Sequence, residues 1–290
     1  MALTVDDSTA GRARPVIADA PGSRSWARAF GDLRQGWQQR ALWGHLGWQD
    51  IKQRYRRSVL GPLWISISMG VIALGLGLLY SLLFQVPLAE FLPHVAVGLL
   101  IWNFVSGCIL EGSEVFIANE GLIKFLPAPL SLHVYRLVWR QTLFFLHNMV
   151  IWAILMIVFP HPLGWSLLLA VPAFALLAIN GGWIAILSGI LATRFRDIPP
   201  IIGSVVQLVF YLTPIVWSVD ILGDNPAVQE RARLVELNPV FHFLEILRRP
   251  LLGQETVWRY WYVVLVITVV GWAVGLVCMR NYRARVAYWV

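Results

Sequence analysis

The chain has 290 residues, 58% of them hydrophobic and only 13% charged, with a mean hydropathy of +0.66. These values exclude an ordinary soluble domain and indicate an integral membrane protein. Its formal charge of +7 sits on arginines that flank apolar runs, so membrane topology accounts for the basicity and nucleic-acid binding does not.

Residues 1–35 read as a cytoplasmic tail, disordered by composition: the first 24 or so, about that many, carry no apolar stretch of the kind a cleaved signal peptide needs. Residues 36–61 read as an amphipathic helix lying in the headgroup plane. Trp48, Ile51, Tyr55 and Val59 recur at spacings of three and four, while Lys52, Arg54, Arg56 and Arg57 occupy other faces. Gly61-Pro62 then ends that helix and opens the next. The basic collar has two readings. It is a positive anchor for the first span, or it receives a lipid phosphate, whose oxygens arginine forks match.

Residues 62–290 hold six apolar runs of about 20 residues, the length that crosses a hydrocarbon core as a helix. They lie near Leu63–Phe84, Val95–Ala118, Leu137–Phe159, Trp165–Thr193, Ile201–Trp217 and Tyr260–Met279. With the N-terminus inside, 18 of the 23 Lys and Arg fall in inner segments and 5 in outer ones. Both termini are therefore expected in the cytoplasm, in a multi-pass protein of the plasma membrane.

Chemistry-bearing patterns are few. Glu111 and Glu114 lie three apart on one helical face, with Arg136 and Arg140 as candidate partners. This charge cluster either satisfies itself at the interface or serves as a gate or coupling switch. The six histidines never pair at helical spacing, so no metal site is expected; Cys108 and Cys278 lie in apolar runs. The two lysines, Lys52 and Lys124, each follow Ile, so neither belongs to a Walker A loop. Energy for any pumping must then enter through another subunit or an ion gradient. Gly271 and Gly275 mark close helix packing. Tyr80, Trp102, Phe144, Phe145, Trp152, Trp183, Phe210 and Tyr211 lie where interfacial belts do not explain all of them; any could face sugar rings or pack in the core.

The stretches RYRRSVLGPLW, NEGLIKFLPAPLSLHVYR, TRFRDI, VVQLVFYLTPIVW and ELNPVFHFLEILRRPLLG, in that order, resemble the permease subunit of ABC-2-type polysaccharide exporters. LEGSEVFIANEGLIK and the terminal RARVAYWV further resemble mycobacterial and related actinobacterial members associated with export of lipid-linked galactan.

The resemblance implies an all-α membrane domain of six transmembrane helices behind an interface helix, the type V exporter arrangement. It implies a homodimer bound to two copies of a separate ATPase, which holds ATP and Mg; this chain binds no cofactor and is no enzyme. The substrate implied is a polyprenyl-diphosphate-linked polysaccharide, loaded past Lys52, Arg54, Arg56 and Arg57. Coupling to the ATPase falls to Arg194, Phe195, Arg196, Asp197 and Ile198, with Asp197 capping the helix that Pro199 begins. Leu122, Ile123, Lys124 and Phe125 belong to a cytoplasmic gate or docking segment. Two short gate helices are expected outside, at about 220–257, re-entering near Asn238-Pro239, with Val240, Phe241, Phe243, Leu244 and Leu247 shallowly buried.

Alternatives are an ABC-2 permease for a drug or another lipid, and a membrane glycosyltransferase or ligase, for which Asp220 and Asp224 are the outward carboxylates. Secondary transport is disfavoured because the spans show no convincing repeat and few midplane charges.

Overall fold

Ser25 opens the first helix: its hydroxyl accepts the Arg28 N–H at 3.3 Å and α1 runs Trp26–Gln38. Its buried residues Ala29, Asp32 and Gly36 recur at spacings of three and four, so one face packs on the bundle. Residues 26–35 are thus helix, where composition had suggested a tail. The helix is held by one stripe of contacts that an average over the segment does not register. The computed structural model describes residues 24–54, 56, 61, 63–126, 128–218 and 233–290. Among these residues all regular structure is helical.

The expected interface helix over 36–61 is divided. A break at Gln39 separates α1 from α2, Arg40–Arg54, which packs along the third long apolar run of the chain. Gly61 stands at φ 53°, a left-handed conformation that glycine adopts without a Cβ clash, and this turns the chain into α3, Leu63–Phe84. Tyr55, Arg57, Val59 and Pro62 lie outside the described residues.

Next come α4 (Leu88–Glu114), the short α5 (Glu120–Phe125), α6 (Leu130–Val158), α7 (Ala170–Arg194), α8 (Ile198–Leu212), α9 (Pro239–Leu251) and α10 (Trp258–Trp289). Among the described residues, five helical segments are long and apolar enough to cross a membrane: α3, α4, α6, α7 with the 3-10 turn before it, and α10. The chain is a multi-pass membrane protein. α4 is the most buried of them and lies at the centre, packed on α3, α6, α7, α8 and α9.

The fifth expected span, Ile201–Trp217, is a shorter helix. α8 has 15 residues, about 22 Å against the roughly 30 Å of a hydrocarbon core, and stops at Leu212. Thr213 is extended because the residue before a proline is driven from helical geometry. The irregular Thr213–Val216 stretch is buried in protein. Its carbonyls are met by Arg248 of α9, which is only 1% exposed. Nη1 donates to the Pro214 carbonyl at 2.8 Å and to Glu245 at 3.3 Å, and Nη2 to the Ile215 carbonyl at 3.3 Å. Non-helical backbone at membrane depth requires such internal partners.

α9 itself is deeper than the shallow gate helix expected there. Asn238 caps it, accepting the Val240 N–H at 3.0 Å, and also donates to Thr213 at 2.7 Å. Phe241, Phe243, Leu244 and Leu247 are buried against α4, α7 and α10, leaving only Val240 of the five half-buried. Asp220, Asp224 and the rest of 219–232 lie outside the described residues.

The small residues act as foreseen. A Cβ on Gly271 would strike the Trp183 indole, so α10 and α7 approach at that point only because glycine is there.

Candidate functional site

α2, the end of α4 and the start of α6 converge on a cleft of about 640 Å3. α6 turns His133, Arg136, Leu137, Arg140 and Phe144 toward it, spaced by three and four; the end of α4 contributes Glu111 and Glu114, and the turn that follows it Val115 and Ala118. Asp50 of α2 sits at the centre. Arg136 clamps it with Nε at 2.9 Å and Nη2 at 2.5 Å, and Arg140 Nη1 adds a third donor at 3.0 Å. The other side of the Arg140 guanidinium pairs with Glu111. His133, 3% exposed, has both ring nitrogens without a hydrogen-bond partner among the described residues.

The charge cluster expected from sequence therefore exists in part. Glu111, Glu114, Arg136 and Arg140 line one cleft, and Glu111 pairs with Arg140; Glu114 makes no ion pair among the described residues. The residue that sequence reading missed is Asp50. Its signal is that it is the single carboxylate in α2, among the basic residues of that helix.

The described residues of the collar are placed differently. Lys52 lies over the Trp48 ring at 5.9 Å, and Arg56 is exposed. Arg57 lies outside the described residues. Arg54 alone of the described collar reaches the cleft, stacked on Phe144 at 5.3 Å. Arg54, Glu111 and Phe144 also border an adjoining groove of about 390 Å3 that continues to Trp64, Ser68, Asn103, Ser106 and Gln141. The cleft thus opens into a groove of mixed polar and apolar lining between α3, α4 and α6.

The same end of the bundle carries the expected coupling residues. Arg194 ends α7 and lies over the rings of Phe195 and Trp289, at 5.5 Å from each. Phe195, Arg196 and Asp197 form an exposed knuckle before α8 begins at Ile198, with Phe195 55% exposed. Asp197 holds the N-cap position, yet its side chain makes no capping bond. Its backbone is helical there, whereas a capping side chain needs an extended residue.

The expected gate segment is α5. Leu122 and Phe125 are exposed, Phe125 to 85%, while Ile123 packs on the bundle. Lys124 pairs with Glu120, and together with the charge of Arg196 this holds the Glu120 carboxyl below the usual carboxylate range. Arg196 and α5 therefore share one surface. Of the aromatics, Phe145 stacks on Phe174 at 4.4 Å and Trp152 donates to the Leu251 carbonyl, which assigns these two to helix packing.

The bundle is thus a helical multi-pass membrane domain with a charged cleft and an exposed knuckle at one end. The family described as "ABC-2 type transporter" matches residues 41–252. The chain belongs to that family, and it is a transport subunit rather than an enzyme. Families of this kind work with an ATPase partner subunit. Curated relatives named "O-antigen export system permease protein RfbA" include one from Klebsiella pneumoniae, 25% identical over 78% of this chain and 87% of its own. Another, from Myxococcus xanthus, is 26% identical over 72% of this chain and 79% of its own.

Proposed function

We propose that this chain is the membrane-spanning permease of an ATP-driven exporter of polysaccharide linked to a polyprenyl diphosphate, O-antigen-like in class and galactan in substance. It works as a homodimer with two copies of an ATPase subunit, which binds ATP and Mg. It lies in the plasma membrane with both termini and the cleft end of the bundle in the cytoplasm. The observation that carries the reading is the continuity of the cleft that holds Arg54, Arg136 and Arg140 with a groove between the spans that offers Ser68, Asn103, Ser106 and Gln141 beside apolar and aromatic side chains. Such a path suits a charged diphosphate followed by a hydroxyl-rich polymer. The basic residues of α1, α2, α5 and α6 at that end support the orientation.

A second apolar groove of about 390 Å3 between α3 and α6, lined by Leu63, Ile67, Gly70, Ala73, Leu74, Val150, Ile151 and Ile154, suits an acyl or prenyl chain. On its own this groove would also serve another lipid or a drug, which is the alternative substrate class. Depletion of the protein separates them. Lipid-linked galactan accumulating on the cytoplasmic face supports the proposal, and unchanged glycan with retention of a different lipid or a drug overturns it.

A further inference from the structure

The two guanidiniums best placed to take a phosphate are already engaged. Arg136 presents its fork and Arg140 one further N–H to a single carboxylate, so Asp50 receives three charge-assisted hydrogen bonds from two arginines. That is the donor set by which arginines hold a phosphate group, with a carboxylate in its place. The clamp is partly buried: Asp50, Arg136 and Arg140 side chains are 14%, 20% and 24% exposed. Around it stand Arg54, Gln53, Asn119 and the unpartnered His133 imidazole, which lacks any hydrogen-bond partner although it is buried and lines the cleft. A ligand offering several acceptor oxygens would satisfy it. Asp50, Glu111 and Glu114 balance Arg54, Arg136 and Arg140, so the cleft is neutral while Asp50 stays and cationic once it leaves.

We infer that Arg136 and Arg140, with His133, form a diphosphate-binding site that Asp50 occupies as an internal substitute, holding it closed until a lipid diphosphate displaces the carboxylate. The inference rests on the proposed transport of a diphosphate-linked polymer. Asp50 belongs to α2 and its partners to α6, so a bound headgroup releases the contact between the interface helix and the span without breaking any span. Ile51 and the Trp139 hydrogen bond to the Gly44 carbonyl keep α2 attached meanwhile.

The test is binding of geranylgeranyl diphosphate to the purified full-length chain in detergent, with geranylgeraniol and inorganic pyrophosphate as comparisons. Asp50→Asn is expected to bind the diphosphate about tenfold tighter than wild type, and Arg136→Gln with Arg140→Gln at least about tenfold weaker, one charge-assisted bond being of that size. Asp50→Ser serves in place of Asn if that variant fails to accumulate, and the arginine variants read the site independently of both. Competition by inorganic pyrophosphate supports a headgroup site. Equal binding of geranylgeraniol, an Asp50 variant that binds no tighter while remaining folded, or full binding after loss of both arginines overturns the inference. These outcomes are separable from the transport reading. Glycan accumulation on depletion without an Asp50 effect removes the clamp alone, and a working clamp without glycan accumulation removes the transport reading alone.

Discussion

Ser131 and Asp32, from different helices, hold each other twice. The Ser131 backbone N–H donates to the Asp32 carboxylate at 2.9 Å, and its hydroxyl donates to the Asp32 carbonyl at 2.7 Å. The same carboxylate accepts the Leu130 N–H at 3.1 Å and Arg283 Nε at 2.5 Å. Pro129 precedes α6 and has no side-chain acceptor, so the unsatisfied N–H groups at the start of α6 are capped by a carboxylate from α1. One buried side chain thereby joins α1, α6 and α10.

Asp32→Ala is expected to lower stability by about 2–4 kcal/mol, since it leaves two helix N–H groups and Arg283 without their acceptor. Asp32→Asn should cost less, because its amide oxygen still accepts one N–H. Thermal unfolding of the detergent-purified protein, read by size-exclusion chromatography, checks the order; equal stability of wild type and the Ala variant would refute the cap.

Arg248→Met is expected to lose most folded protein, on the order of 3–5 kcal/mol, because Glu245 and the Pro214 and Ile215 carbonyls are left buried without that partner. Gly98→Ala should weaken the same point from the opposite side, as its Cβ would meet Arg248 Nη2 and the Ile215 carbonyl. The amount of monodisperse protein and its unfolding temperature are the measurements. A monodisperse Met variant of wild-type stability would mean that the irregular stretch supports itself.

At the other end, Phe195→Ala and the pair Arg196→Ala with Asp197→Ala are expected to abolish export while changing stability by less than about 0.5 kcal/mol, as befits exposed side chains that make no hydrogen bond or ion pair among the described residues. Export in cells and co-purification of the ATPase subunit read the two effects separately. Normal export by both variants would move coupling to another surface, with α5 the nearest.

The purified chain alone is expected to release no phosphate from ATP, because neither Lys52 nor Lys124 lies in a phosphate-cradling loop. Hydrolysis should appear only on adding the ATPase subunit. Robust turnover by the isolated chain, free of contaminating ATPase, contradicts this.

Hydropathy and charge are sums over neighbours in sequence, and what depends on such sums was legible without coordinates. Five of the six expected runs, the break at Gly61 and Arg140 as a candidate partner for Glu111 were read from runs and spacings. The end of α8 was only half legible: Ile201–Trp217 is almost uniformly apolar, so hydropathy could not mark the stop, although Pro214 carried the signal. Asp32 was not legible at all, and Asp50 was marked only as the lone carboxylate of a basic helix. Each looks like an ordinary surface carboxylate on a polar segment, yet Asp32 meets residues 98, 99 and 251 positions away and Asp50 meets residues 86 and 90 away. Periodicity identifies which face of a helix is buried, but not the register at which that face meets another helix. Only the packed bundle sets that register, and with it whether a lone carboxylate becomes a cap, a clamp or a solvated charge.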